Sequence, residues 1–309
     1  MLGPDDATVE LAGRWGADSR TLSPITGASS RIYRCDSPAG PLFLRLTTSA
    51  SHTVASVAGA LDWQRHVHDV GAPVAEPVTS RAGCWIESAS TGPVTLLGTA
   101  TRAVPGRPVG FHNSSDVEAW AETVGAVHAA SASFTRSPIS TSEGTVAGRL
   151  PTLLELWKAI KPTADGDPWL RSRYMQGSDW LARLGEPYLV THGDVRPANA
   201  LFADGRVVLL DFDEPTWAWE AYDLARMLLD DDAGQPRDPA LHRSAVLNGY
   251  RKARPAISVS TETLDQFLQI RSLLMYCWSL EDPVGASPVW LERLRSQLGD
   301  VRNRLTTRL

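Results

Sequence analysis

The feature that most restricts this chain is a segment in its second half where apolar runs and turn chemistry alternate over short distances. A β-prone run ends at Thr191, a loop follows, and Ala200-Leu201-Phe202 is separated from Val207-Val208-Leu209-Leu210 by Asp204-Gly205. Asp-Gly between two apolar runs signals a tight β-hairpin, because both turn positions of the favoured two-residue loop take positive φ. The loop before that hairpin carries Asp194 and Asn199, and the returning strand ends at Asp211. A hairpin of this kind brings Asp211 back beside the loop, so oxygen-bearing side chains converge where two short loops meet.

Phosphoryl transfer from a nucleotide needs such a set. One carboxylate orients the attacking hydroxyl and accepts its proton, while a carboxylate and an amide supply hard oxygen ligands for Mg²⁺, which neutralises charge on the phosphates.

The rest of the composition narrows the class without naming a function. The 309 residues suffice for two packed lobes or two domains of ordinary size, and 43% hydrophobic with 21% charged residues is a globular balance. A net charge of -5 with no Lys/Arg cluster argues against nucleic acid as the main partner, and mild acidity suits a cationic one. Met1-Leu2-Gly3-Pro4-Asp5-Asp6 has neither a basic n-region nor an apolar h-region, and no apolar run approaches the roughly 18 residues that cross a bilayer. Cys35, Cys84 and Cys277 form neither a disulfide framework nor a zinc pattern. The expectation is a cytoplasmic protein without a membrane partner, either monomer or homodimer.

Local patterns place these residues. Arg31 to Cys35 and Leu42 to Leu46 flank Ser37-Pro38-Ala39-Gly40 and predict a hairpin. The first third reads as sheet with one helix, over Val54 to Val70 and ended by Gly71-Ala72-Pro73. Further strands are expected near Val74 to Val78, Cys84 to Glu87 and Leu96 to Ala103. Beyond Pro105-Gly106-Arg107-Pro108 the pattern turns helical. Ser115-Asp116-Val117-Glu118 reads as a capping box, and a late helix carries Leu264, Phe267, Leu268, Leu274 and Trp278.

The string His192-Gly193-Asp194-Val195-Arg196-Pro197-Ala198-Asn199, followed by Leu209-Leu210-Asp211-Phe212-Asp213, resembles the signature of the aminoglycoside phosphotransferase and choline kinase group. That group is a branch of the protein-kinase-like fold. Trp219-Glu220-Ala221-Tyr222-Asp223-Leu224-Ala225 resembles the family's next helix start, where Asp223 would buttress the catalytic loop. The resemblance implies an α+β bilobal fold, with a small antiparallel-sheet lobe over 1–104 and a larger, mainly helical lobe over 105–309. ATP, with GTP as the alternative, and Mg²⁺ would bind in the cleft between them.

By the same resemblance Asp194 is the catalytic base, and Asn199 and Asp211 are the metal ligands. Asp213 is either a second metal ligand or a support for the loop. His192 holds the loop, and His128 is a packing histidine. Gly27, Ser29 and Ser30 fall in the family's nucleotide loop, and Arg45 stands where protein kinases carry Lys on the third strand. The helix before Gly71 should offer a Glu to that cation, yet Ala60 occupies the position, with Asp62 facing another way. Arg45 is therefore held by another acid, or the pair is missing.

The acceptor is a small-molecule hydroxyl, with Trp217, Trp278, Glu281 and Asp282 as candidate contacts. An antibiotic is the leading expectation. A protein serine/threonine or homoserine-type kinase and a non-catalytic binding protein on this fold are the alternatives. The strand Val207 to Asp213 also resembles the nucleophile strand of haloacid-dehalogenase phosphatases, but Pro215 stands where that pattern wants Thr or Val.

Overall fold

Strand β3 (Gly40–Thr48) shows how the sequence builds its sheet. Leu42, Leu44 and Leu46 are at most 2% exposed, while the alternating Phe43 and Arg45 point to the other face. Burying each leucine contributes about 1.5–3 kcal/mol before entropy is counted. The structure, a computed structural model, describes residues 5–25, 31–91, 94–110, 113–229, 238–281 and 291–298 apart from 293 and 297.

In chain order the helices are α1 (Asp6–Arg14), α2 (Val54–Asp69), α3 (Ser114–Ser131), α4 (Leu153–Ala159), α5 (Lys161–Asp165), α6 (Pro168–Leu184), α7 (Glu220–Leu228), α8 (Pro239–Ala253) and α9 (Thr261–Glu281). The strands are β1 (Ser23–Ile25), β2 (Arg31–Ser37), β3 (Gly40–Thr48), β4 (Pro77–Val78), β5 (Glu87–Thr91), β6 (Val94–Arg102), β7 (Arg107–Pro108), β8 (Ile139–Thr141), β9 (Gly144–Val146), β10 (Leu189–Thr191), β11 (Ala200–Ala203), β12 (Arg206–Leu209) and β13 (Thr216–Ala218).

The chain divides into two compact units that are discontinuous in sequence. The first comprises Met1–Val109, Ala129–Leu150 and Ala198–Pro215, and the second Gly110–His128, Pro151–Pro197 and Thr216–Leu309.

The first unit centres on an antiparallel sheet of order β1-β2-β3-β6-β4, with β5 also paired to β6. The β2–β3 hairpin turns at Pro38-Ala39, as its turn residues predict, with Ser37 paired to Gly40. One face of the sheet packs against α1 through Leu11, Ala12 and Trp15. This helix is missing from the sequence-based reading of the first third, whose described residues hold both α1 and α2. Its Asp5 cap accepts from Thr8 N, and the Trp15 indole donates to Val78 O at 2.9 Å. The strand expected at Val74 to Val78 is confined to Pro77–Val78, and that expected at Cys84 to Glu87 starts only at Glu87. Helix α2 buries Ala58 and Leu61 in a separate cluster with Ile86, Leu97 and Ile139.

In the second unit α4, α6, α7 and α9 surround a core that includes Trp157, Tyr174, Tyr222, Phe267 and Leu274. Trp157 stacks on Tyr174 at 5.1 Å. Gly177 in mid-α6 makes room for that ring, since a Cβ there would lie 2.5 Å from Trp157 Cζ2. Helix α3 begins at Ser114, one residue before the expected capping box. Asn113 Oδ1 accepts from Ser115 N at 3.0 Å, whereas Asp116 is drawn off to accept from Gly110 N.

Candidate active site

In the second unit, β10 pairs antiparallel with β13 and delivers the chain into His192-Gly193-Asp194. Gly193 has φ 83°, a left-handed conformation that glycine adopts without steric cost. Asp223 of α7 is fully buried and accepts from His192 N at 2.7 Å and Gly193 N at 2.9 Å. Its Oδ2 also accepts from His128 Nε2 at 3.0 Å, and His128 Nδ1 meets the Tyr250 hydroxyl at 3.0 Å. Burial raises the Asp223 pKa, but the His128 contact and the backbone N–H of Gly193 outweigh it and hold the carboxyl below the ordinary range. His128 and His192 are both buried. The His192 ring accepts from Asp194 N at 3.4 Å.

Asp194 therefore projects from a loop whose backbone is fixed from beneath. Its carboxylate is one-fifth exposed and lies among three arginines: Arg226 Nε at 2.8 Å, Arg196 Nε at 3.3 Å and Arg271 Nη2 at 3.6 Å. Burial opposes ionisation here, yet Arg226, then Arg271 and Arg196, overcome it and keep the carboxyl below its usual range. Sequence reasoning assigned none of these arginines a role. Arg226 stands one turn after Asp223 on the same helix face, a signal the spacing carries. Arg271, on α9, gave no local signal at all.

In the first unit, β11 and β12 form the hairpin expected from Asp204-Gly205, and both turn residues take positive φ, 48° and 78°. Leu210 N donates to Asn199 O at 2.9 Å, which carries the pairing past the last strand residue. Asn199 and Asp211 consequently flank the open end of one hairpin. Asp211 itself has φ 61°. Outside glycine, Asp and Asn tolerate that region best, and such a residue held there is a mark of functional sites. Phe212 between the two aspartates is buried against Trp63, ring to ring at 5.3 Å.

Arg45 donates to both Asp211 and Asp213 through different guanidinium nitrogens. Burial lowers its pKa, and the charge of Asp211 opposes that shift. The residues present fit a hard dication, since Asn199 offers an amide oxygen and the carboxylates of Asp211 and Asp213 lie close enough to share one guanidinium. Among the described residues no cluster of three or more His, Cys, Asp or Glu forms a ready cage. Mg²⁺ binds through one or two carboxylates and completes its shell with phosphates and water.

The other candidate positions lie on β13 and α9 or outside the described residues. Trp217 lies on β13 opposite Val190, and Trp278 on α9 has the Arg271 guanidinium 6.0 Å from its ring centre. Glu281 ends α9, exposed, and accepts from Thr163 of the second unit. Gly27, Ser29, Ser30 and Asp282 lie outside the described residues.

Residues 21–256, spanning the sheet, the His192–Asn199 loop and α8, match the sequence profile of the Phosphotransferase enzyme family. The chain belongs to this family. The phosphotransferase is 21% identical over 305 residues to an amicoumacin kinase of Bacillus subtilis strain 168, with 88% of this chain and 83% of that one covered. Its fold is also that of an amicoumacin kinase solved with AMP-PNP, Ca²⁺ and Ami, at TM-score 0.74 and 19% identity over 96% of this chain and 94% of the other. A microcompartment-associated aminopropanol kinase matches at TM-score 0.71 and 18% identity, covering 95% and 94%. The protein-kinase-like fold and ATP-dependent transfer to a small-molecule hydroxyl, both implied by the resemblance, therefore stand for this phosphotransferase. No helix among its described residues is long and apolar enough to cross a membrane.

Proposed function

We propose that this phosphotransferase acts on a hydroxylated, amine-bearing small molecule of the antibiotic or amino-alcohol kind, with Asp194 as its catalytic carboxylate. The observation that carries the reading is the placement of Asp194, on a loop pinned by Asp223 and with the guanidinium groups of Arg226, Arg196 and Arg271 around its carboxylate. Such a carboxylate accepts the hydrogen of an incoming hydroxyl, orients its oxygen for attack, and takes the proton as the bond to phosphorus forms. Asn199 and Asp211 would hold Mg²⁺, and Arg45 would meet the nucleotide phosphates. ATP would supply the transferable phosphoryl group, and Mg²⁺ would neutralise charge on its phosphates. Positioning and preorganised charge then provide most of the acceleration.

The acceptor class is supported by likeness to an amicoumacin kinase and an aminopropanol kinase, and by the net charge of -5, which favours a cationic partner. Isothermal titration with ATP and GTP, with and without Mg²⁺, tests the nucleotide side. Magnesium-dependent binding that Asp211→Ala abolishes is expected. A panel of amicoumacin, aminopropanol and homoserine, followed by phosphate transfer from MgATP, tests the acceptor. Asp194→Ala should lose about 10²–10⁴-fold in turnover with nucleotide binding retained. Normal turnover in that variant, or no nucleotide binding by the wild type, would sink the reading. Transfer to homoserine alone would replace the acceptor class.

A further inference from the structure

Helix α7 grips the catalytic loop twice. Asp223 takes the backbone N–H groups of His192 and Gly193, and Arg226, one turn later, reaches the side chain of Asp194. The two oxygens of that carboxylate have different surroundings. Oδ1 accepts from Arg226 Nε at 2.8 Å, and Arg271 stands 3.6 Å from the same atom. Both arginines are only 2% exposed. Oδ2 faces Arg196, 3.3 Å away, whose side chain is 43% exposed. Oδ1 faces two buried cations, while Oδ2 faces the buried Nε of an arginine whose outer end reaches solvent.

We propose that Arg226 is a positioning residue for the reaction: by donating Nε–H to Oδ1 it fixes the Asp194 carboxylate so that Oδ2 meets the acceptor hydroxyl. The proposal rests on the reading of Asp194 as the catalytic carboxylate. The physical case is rotational. The terminal torsion of an aspartate is broad, so a carboxylate held only by its backbone samples many orientations of its oxygens. A planar guanidinium, itself immobilised by burial, donates along a fixed direction and removes that freedom before the acceptor arrives. Its charge also stabilises the ionised form, in which both oxygens are acceptors. Without Arg226 the carboxylate would remain on the loop but would rotate and take up a proton more easily.

The experiment compares wild type, Arg226→Gln, Arg226→Lys, Asp194→Asn and Asp194→Asn/Arg226→Gln. Transfer is measured from MgATP to the acceptor found in the panel, or to water if none is accepted. Melting curves and nucleotide titration establish folding. The expected kcat of Arg226→Gln is about ten- to a hundredfold lower, the range a charge-assisted hydrogen bond carries, with KM for ATP unchanged. Its acid limb should move to higher pH, because the lost cation no longer favours the carboxylate. Arg226→Lys should keep the acid limb near its wild-type place while recovering part of kcat. The double variant should be no slower than Asp194→Asn. Independently, carbon-13 NMR of aspartate-labelled, nucleotide-free protein should show the Asp194 carboxyl titrating higher in Arg226→Gln.

A wild-type kcat and acid limb in folded Arg226→Gln would overturn the proposal. If that variant does not fold, Arg226→Lys decides, and a wild-type kcat there overturns it equally. Normal turnover in Asp194→Asn would instead remove the underlying reading of Asp194, leaving a different signature from either result.

Discussion

Arg45 on strand β3 and Asp213, just beyond strand β12, are directly paired, with Nη1 donating to the carboxylate. Helix α2 has Ala60 where an acid for this cation was sought, and its nearby Asp62 is already committed. Asp62 accepts from Ser137 N at 2.6 Å and from Arg65 at 2.8 Å. The acid therefore comes from the Asp211-Phe212-Asp213 segment, which holds the strand cation from the other side.

This pairing predicts a graded response. Asp213→Ala leaves Arg45 with one carboxylate, and unfolding in denaturant should show a loss of about 1–3 kcal/mol. Arg45→Lys replaces a planar fork by a point charge that cannot donate in two fixed directions. Nucleotide titration of Arg45→Lys should therefore give weaker binding than wild type, and Arg45→Ala weaker still.

Asp223 predicts an acid limit to stability. Its folded pKa lies below the ordinary 3.8, so its contribution is complete above that value and is lost as pH falls through the folded one. Melting temperature should fall more steeply below about pH 4 in wild type than in Asp223→Asn. At neutral pH the Asn variant should be less stable by about 1.5–3 kcal/mol, the range for hydrogen bonds to a charged group, and turnover should collapse with the loop.

Gly59 in mid-α2 is a packing requirement. A Cβ there would stand 2.6 Å from the backbone oxygen of Arg149, which cannot swing aside as a side chain would. Although alanine is the better helix former, Gly59→Ala should destabilise by about 1–3 kcal/mol, read as a lower melting temperature.

Gly205 carries the hairpin that flanks Asn199 and Asp211. At φ 78° an alanine is strained, and Gly205→Ala should cost about 1 kcal/mol in denaturant unfolding. The Asp204→Asn variant keeps a residue that tolerates the left-handed region and should melt as wild type does.

The structure also shows how far the sequence could be read. The β2–β3 and β11–β12 hairpins, α2 and α9 were visible because their signals are local: turn residues with special φ, and apolar residues at period two or 3.6. Helix α1 was not, since its role appears only when Leu11 and Trp15 meet a sheet made of later residues. Helix α3 starts two residues before a Ser115 cap would place it, with the Asn113 side chain accepting from Ser115 N.

The same division holds at the candidate site. The order of residues by itself determined the His192–Asn199 loop, the Asp-Gly turn that returns Asp211 toward it, and the family to which the chain belongs, because those depend on neighbours a few bonds apart. Only the tertiary structure decided that Arg45 meets Asp211 and Asp213, and that Arg226 and Arg271 close on Asp194. A charged side chain's partner is chosen by which elements pack together and by the cost of burying a charge unpaired, and neither is written in its local sequence.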